Sequence, residues 1–83
     1  GSLLIDAQIP FYDFLQKIEK TEWMNDAEHD FDTLAGFILH ELKKIPSTGD
    51  TLQWRGFLFE IVDMDKHRID KILVTQNVAI SED

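Results

Sequence analysis

Residues 30–46 have the sequence DFDTLAGFILHELKKIP, which predicts an amphipathic helix over residues 31–45 and decides the fold class of the chain. Its apolar side chains recur at steps of three and four residues, so they form one stripe on a helix of about 3.6 residues per turn. The stripe consists of Phe31, Leu34, Ala35, Ile38, Leu42 and Ile45. Phe37 and Leu39 widen it, and we therefore expect other elements to cover this helix on more than one side.

The two ends of this helix carry start and stop signals. Asp30 or Asp32 is expected to cap the first turn, because a carboxylate accepts the free N–H groups there and suits the positive end of the helix dipole. Thr33 can reinforce this cap. Two lysines stand shortly before Pro46, where cations interact favourably with the last carbonyls and the proline ring prevents continuation.

Length and charge limit the classes of function. A chain of 83 residues makes one domain, and its 43% hydrophobic and 29% charged content is typical of a globular fold. Because it has no cysteine, it forms neither a disulfide nor a thiolate metal site. The formal net charge of −8 repels polyanions and anionic lipid. No apolar run approaches the ~20 residues of a membrane span, so neither nucleic acid binding nor direct insertion into lipid is predicted.

The elements before this helix are predicted from shorter patterns. Residues 3–5 form an apolar run that predicts a buried strand, and Pro10 suits the first turn of a helix of about two turns that ends at Lys20. Residues 21–29 are polar and acidic and predict a connector, in which Trp23 and Met24 attach to the core or to a partner. Residues 46–50 are rich in turn formers.

From Thr51 onward the apolar period changes to two, which predicts strands. Arg55 and Gly56 predict a tight turn, residues 65–67 a second turn, and residues 68–76 the last strand. One face of the middle strand carries Phe57, Phe59 and Ile61, and the other carries Leu58, Val62 and Met64. We therefore predict an α+β fold, in which an N-terminal strand and two helices precede a three-stranded antiparallel meander packed on the helices. Residues 1–76 form the domain and residues 77–83 a C-terminal tail.

Two groups of carboxylates are candidate metal ligands. Asp26, Glu28 and Asp30 alternate in the connector, and Asp63 and Asp65 lie at the predicted hairpin tip near His67 and Asp70. Carboxylate oxygens suit a weakly bound, partly hydrated Mg²⁺ or Ca²⁺. The commoner alternative is a set of solvated acids at a helix start and an exposed turn, and both interpretations stay open. No other cofactor is predicted.

Signals of catalysis are missing from the sequence. The serines have no His or Asp neighbours of the kind that surround a nucleophile, and there is no glycine-rich phosphate loop. We therefore predict that the chain is not an enzyme. A small sheet has unpaired edges that a partner or a second copy can cover, so an interaction role and a homodimer are both expected.

The order of several short motifs resembles a known family. These motifs are Asp30-Phe31-Asp32-Thr33-Leu34-Ala35-Gly36, Ile45-Pro46-x-x-Gly49-Asp50, Phe59-Glu60-Ile61 and Arg68-Ile69-Asp70-Lys71. Together they resemble the CorC/HlyC transporter-associated domain over residues 1–76. The chain departs from the family pattern at Ala7 and near Lys66, where many members have glycine, and a positive φ in the last hairpin is then expected at Lys66 or His67.

The resemblance implies an α+β fold similar to part of FAD-binding domains. It also implies a place after a transmembrane region and a pair of CBS domains, on the cytoplasmic side of the inner (plasma) membrane, in proteins linked to magnesium and cobalt efflux and to haemolysins. The implied function is regulation of ion transport without catalysis, through binding of protein or of a small ligand. The CBS domains and the membrane domain of the parent protein are the implied partners. A divalent-cation sensor that uses the acidic groups is the alternative.

Overall fold

A four-stranded antiparallel sheet carries both helices. The computed structural model describes residues 2–25 and 32–76. Its elements are β1 (Ser2–Asp6), α1 (Phe11–Lys17), a 3-10 helix (Thr21–Asn25), α2 (Leu34–Leu42), β2 (Thr51–Trp54), β3 (Phe57–Asp65) and β4 (Arg68–Gln76). The strands lie in the order β1-β4-β3-β2. The predicted α+β fold is confirmed, with the meander β2-β3-β4 extended by β1; the predicted tail lies outside the described residues.

Helix α2 is shorter than predicted because its caps lie inside the amphipathic stretch. The Thr33 side chain caps the first turn, and its Oγ1 accepts the Gly36 N–H at 3.1 Å. The helix ends at Lys43, which adopts a left-handed conformation (φ 58°) and donates its N–H to the Leu39 carbonyl at 3.2 Å. The prediction that Asp32 caps the helix is therefore wrong, and Asp30 lies outside the described residues.

The early end of α2 changes the position of two apolar side chains. Ile45 lies beyond the helix and is 85% exposed, so its predicted place on the apolar stripe is wrong. Phe37 is buried as expected, whereas Leu39 is 43% exposed. The helix is therefore covered on the side of Phe37 and open on the side of Leu39.

Two backbone hydrogen bonds attach the start of α2 to the segment between β1 and α1, and a third joins the start of α1 to the residues before α2. The Ala7 carbonyl accepts the Ala35 N–H at 2.7 Å, and the Ile9 carbonyl accepts the Leu34 N–H at 3.0 Å. In return, the Phe11 N–H donates to the Asp32 carbonyl at 2.8 Å. Because free N–H groups at a buried helix start must find acceptors, this segment fixes where α2 begins.

Helix α1 packs on the sheet and beside α2. Pro10 (φ −58°, ψ 143°) precedes the helix as its N-cap instead of occupying the first turn, and the helix ends at Lys17 rather than Lys20. The chain leaves through Glu19, whose φ is 62°. Phe11 and Phe14 are buried, and the Phe11 ring stacks on Phe37 of α2 with centroids 4.8 Å apart.

Residues 21–25, the first part of the predicted connector, form the 3-10 helix. Trp23 and Met24 pack against the buried core, which confirms their predicted attachment. The Trp23 indole meets Trp54 of β2 edge to face with centroids 5.2 Å apart. This contact joins the connector to the end of the sheet.

The alternation of β3 changes phase near its end. Phe57, Phe59 and Ile61 are buried as predicted. The pairing passes from Ile61 opposite Ile72 to Met64 opposite Ile69. Each strand therefore advances three residues from one inward-facing pair to the next, whereas a regular alternation advances two. Met64 consequently packs against the core, and its predicted place on the opposite face is wrong.

Both predicted hairpin turns are present. Arg55 and Gly56 have φ of 51° and 85°, as a two-residue type I′ turn requires, so this prediction is confirmed. Lys66 has φ 60° in the second turn. A side chain in this conformation costs about 1 kcal/mol relative to glycine, and Lys66 is one of the two residues at which a positive φ was expected.

We expect Thr33→Ala to lower the free energy of unfolding by about 1 kcal/mol, because the substitution removes the side-chain acceptor of the Gly36 N–H. Thr33→Ser keeps a hydroxyl there and is the matched control. Urea unfolding followed by circular dichroism measures both variants. Equal stability of the Ala and Ser variants would contradict the role of this cap.

Candidate functional site

The acids at the β3–β4 hairpin tip lie opposite bases. Asp63 and Asp65 are both exposed, and in the register of the sheet Asp63 faces Lys71 whereas Asp65 faces Arg68. Cross-strand pairs of opposite charge stabilise a sheet modestly. The tip is therefore a mixed-charge surface rather than a purely acidic one.

Asp70 is the most strongly engaged carboxylate of this tip. Lys71 donates from Nζ to Asp70 Oδ2 at 3.3 Å. This hydrogen bond is the main reason why the pKa of the Asp70 carboxyl lies below its ordinary value, and the neighbouring Asp63 carboxyl, when it is protonated, donates a hydrogen bond that lowers the pKa further. Asp63 and Asp70 are thus close neighbours at the point where both strands change phase.

The structure tests the predicted metal ligands only in part. Within residues 2–25 and 32–76, no three His, Asp or Glu side chains converge as they would around a metal ion. Asp63 and Asp65 lie on one strand, and Asp26, Glu28 and Asp30 lie outside the described residues. The metal ligands therefore stay a prediction.

Two indole rings near the β2–β3 turn contact cationic side chains of the same chain. The guanidinium carbon of Arg55 lies 5.1 Å from the Trp23 ring centre and 5.0 Å from that of Trp54, and Lys20 Nζ lies 5.6 Å from Trp23. Cations are attracted to indole faces. Both indoles also pack against the core, so these contacts belong to the fold of the chain.

A second carboxylate fixes the connection from α2 to the sheet. Asp50 accepts the Ser47 N–H at 2.9 Å and pairs with Lys44 Nζ at 3.2 Å. The hydrogen bond from Ser47 and then the one from Lys44 lower the pKa of the Asp50 carboxyl. Asp50 thereby stabilises the predicted turn.

A groove separates α2 from the β3–β4 hairpin. Its volume is about 610 Å³, and its lining consists of Ala35, Leu39, Asp65, Lys66, His67, Arg68 and Ile69. The floor is apolar, whereas most of the charges on the rim are positive. We call this the hairpin groove.

Strand β1 exposes apolar side chains on both faces of the sheet. Leu3 is 44% and Leu4 63% exposed, whereas Ile5 is buried. The predicted burial of this strand is therefore wrong for two of its three apolar residues, because β1 lies at the edge of the sheet and has β4 as its one neighbour among the described strands.

The exposed leucines continue into a surface beside α1. A groove of about 400 Å³ is lined by Leu3, Leu4, Ile5, Asp6, Ile9 and Lys17. A neighbouring groove is lined by Ile9, Asp13, Gln16 and Lys17. We call Leu3, Leu4, Ile9 and Lys17 the β1 surface.

The helices of the described residues are too short, or too polar, to cross a bilayer. Helix α2, the longest of them, has nine residues, whereas a transmembrane helix needs ~20.

Comparison with known proteins identifies the family. The family model of the transporter associated domain CorC_HlyC matches residues 1–78. The chain belongs to the CorC_HlyC family. The resemblance seen in the sequence is confirmed, and the solved relatives have the same fold.

This CorC_HlyC domain corresponds to part of a larger relative. The polyamine export protein of Escherichia coli K12 is 36% identical over 76 residues, which are 92% of this chain and 17% of the relative. The chain therefore spans about a sixth of the length of the curated relatives that it matches.

Solved CorC_HlyC domains superpose well on the chain. A domain from Haemophilus ducreyi has a TM-score of 0.79 and 29% identity, and the match covers 92% of this chain and 96% of the other. The domain of a Xylella fastidiosa Temecula1 hemolysin in complex with Mg²⁺ and Mn²⁺ has a TM-score of 0.67 and 38% identity, covering 92% and 87%. The predicted likeness to FAD-binding domains and the domain limit at residue 76 stay predictions.

We expect Lys71→Met to raise the pKa of Asp70, because it removes the main cause of the lowered value. A carboxyl with a lowered pKa stabilises the fold above its unfolded-state pKa, and this contribution is lost as the pH falls through the folded-state pKa. The free energy of unfolding of the variant should therefore depend less steeply on pH below about pH 5. Carboxyl NMR titration gives the pKa, and urea unfolding gives the slope.

Lys66→Met is the matched control, since Lys66 is exposed at the same tip and is not a cause of the Asp70 shift. Identical Asp70 titration in the wild type and in Lys71→Met would contradict the assignment.

Proposed function

We propose that this CorC_HlyC domain is a non-catalytic regulatory domain of a membrane exporter of cations, located on the cytoplasmic side of the inner membrane. The observation that carries the proposal is the match to a segment of an exporter, the polyamine export protein of E. coli, of which it covers 17%. A domain of this size attached to a transport protein can change transport by binding differently to two states of that protein. Magnesium, cobalt and polyamines are the candidate cargoes.

Asp50 and Asp70, the carboxyls of the described residues whose pKa departs from the ordinary value, do not suit general acid or base catalysis at neutral pH. A general acid or base works best with a pKa near the operating pH. Asp50 and Asp70 instead have pKa values lowered by hydrogen bonds with neighbouring groups on the surface. They remain ionised at neutral pH, where they stabilise turns and strands.

The hairpin groove is the surface that we assign to the parent exporter. Its apolar floor includes Leu39, which is 43% exposed although it belongs to a helix packed on the core. Lys66 and Arg68 outnumber Asp65 on the rim, so the rim is slightly positive in a chain whose net charge is −8. Such a surface favours contact with acidic parts of the CBS domains or of the membrane domain.

Exchange of domains in the E. coli relative tests this proposal. Deletion of its matching segment should alter the tolerance of cells to external polyamine, magnesium and cobalt, and insertion of this chain in its place should restore the original tolerance. Within the chimera, Leu39→Asp should abolish the restoration, because a carboxylate enters the apolar floor of the hairpin groove. Cell growth at raised external cation concentration and direct measurement of export show whether the deletion, the chimera and its Leu39→Asp variant function.

Ile45→Asp is the matched control, since Ile45 is 85% exposed and lies outside the hairpin groove. Unchanged tolerance and export after deletion of the segment would refute a regulatory role. An Leu39→Asp chimera that regulates normally would refute the assigned surface.

A divalent-cation sensor is the second candidate, favoured by the Xylella domain in complex with Mg²⁺ and Mn²⁺. In this chain the sensor would use Asp63 and Asp65 at the hairpin tip, or Asp26, Glu28 and Asp30 in the connector. Asp63 already has the Asp70 carboxyl close by, and a hydrated cation would relieve the repulsion between ionised neighbours.

For the sensor we expect Mn²⁺ at a low ratio of metal to protein to broaden amide NMR signals selectively, through its unpaired electrons. Broadening of residues 63–70 places the ion at the hairpin tip, and broadening of residues 26–30 places it in the connector. In the first case Asp63→Asn should weaken Mn²⁺ binding several-fold, whereas Glu41→Gln, which removes an exposed carboxylate of α2, should not. Uniform or absent broadening at millimolar Mn²⁺ would exclude the sensor.

A further inference from the structure

Among the described residues, 2–25 and 32–76, strand β1 forms one edge of the sheet and lacks the usual protection of such edges. Natural proteins protect exposed edges with lysine, proline or bulges. Ser2–Asp6 contains no lysine or proline, and it pairs in unbroken register with β4. Leu4 is 63% exposed on one face of this edge and Leu3 44% on the other. An edge of this kind favours pairing with another strand.

The opposite edge of the sheet differs in this respect. Strand β2 has only four residues, and its apolar members Leu52 and Trp54 pack against the core. The exposed positions of β2 are the polar residues Thr51 and Gln53. The tendency to pair therefore resides in β1.

We propose that two copies of this chain associate through β1, pairing antiparallel about a two-fold axis at Leu4. In this register Leu4 meets its own counterpart, Leu3 lies opposite Ile5, and Ser2 lies opposite Asp6. No two carboxylates meet along the strand, so the sequence of β1 is complementary to itself, as a two-fold interface requires. The two sheets then become one continuous sheet.

The charges beside β1 fit the same arrangement. Asp13 and Lys17 of α1 lie one helical turn apart and line one groove with Ile9 and Gln16. A two-fold axis normal to the sheet keeps both α1 helices on the same face of the joined sheet and makes them antiparallel. Asp13 of one copy then approaches Lys17 of the other, so that opposite charges meet.

The net charge of the chain gives this association a distinctive dependence on salt. Each copy carries −8, so two copies repel each other at long range, and salt screens this repulsion. Association through apolar and main-chain contacts should therefore strengthen as salt rises from low to physiological concentration. The inference concerns the chain itself and does not depend on the proposed export role.

Sedimentation equilibrium from low micromolar to millimolar chain tests the proposal. We expect reversible dimers in the wild type. Leu4→Asp and Leu4→Lys should each weaken dimerisation about tenfold, because like charges then face each other across the axis. An equimolar mixture of the two variants should recover dimers, since carboxylate then meets ammonium. Ile45→Asp and Ile45→Lys change an exposed residue that lines neither groove beside β1, and both variants should dimerise like the wild type.

A second measurement does not depend on any variant. Hydrogen exchange of the β1 amides should slow as the concentration of the wild-type chain rises, whereas exchange of the β2 amides should not. A chain that stays monomeric at millimolar concentration in physiological salt overturns the proposal. Dimers that are insensitive to both Leu4 substitutions, or a mixture that fails to recover them, overturn it as well.

Discussion

The start of helix α2 is the constraint on which the rest of the structure depends. The Leu34 and Ala35 N–H groups need acceptors that the helix cannot supply, and they find them in the carbonyls of Ile9 and Ala7. The Thr33 hydroxyl accepts the next N–H, that of Gly36. Since Ala7 is completely buried, these bonds are shielded from water, and loss of one would leave a buried donor unpaired at a cost of about 1–3 kcal/mol.

The same segment also belongs to the sheet, and this joins the two layers. The Ala7 N–H donates to the Asp70 carbonyl at 2.9 Å, and the Gln8 side chain donates to the Ile69 carbonyl at 3.0 Å. One short stretch therefore bonds to β4 on one side and to α2 on the other. The aromatic core fills the space that this connection defines, with Phe14 of α1 and Phe59 of β3 in contact at a centroid distance of 5.6 Å.

The helices and strands could be predicted from the sequence because their signals are local. The residues at which they begin and end could not be predicted in the same way. Helical and strand periods lie within a few neighbouring residues, so both helices and the meander were predicted. The choice of Thr33 over Asp32 as cap depends on where the chain meets Ala7 and Ile9, and the exposure of Leu4 depends on strand order. At the candidate site, the acids of the hairpin tip were found, but the opposing bases are defined only by the register. Such long-range relations are absent from any short window of sequence.

The paired change of phase in β3 and β4 has a consequence for how the family can vary in length. Between Ile61 and Met64 one strand carries a surplus residue, and between Ile69 and Ile72 the other carries a surplus residue to match. Deleting one of them alone would move the side chains between the deletion and the turn to the opposite face of the sheet. Met64 or Ile69 would then be exposed to water. A deletion that this hairpin tolerates must therefore remove one residue from each strand, so that the inward-facing residues of both strands stay opposite each other.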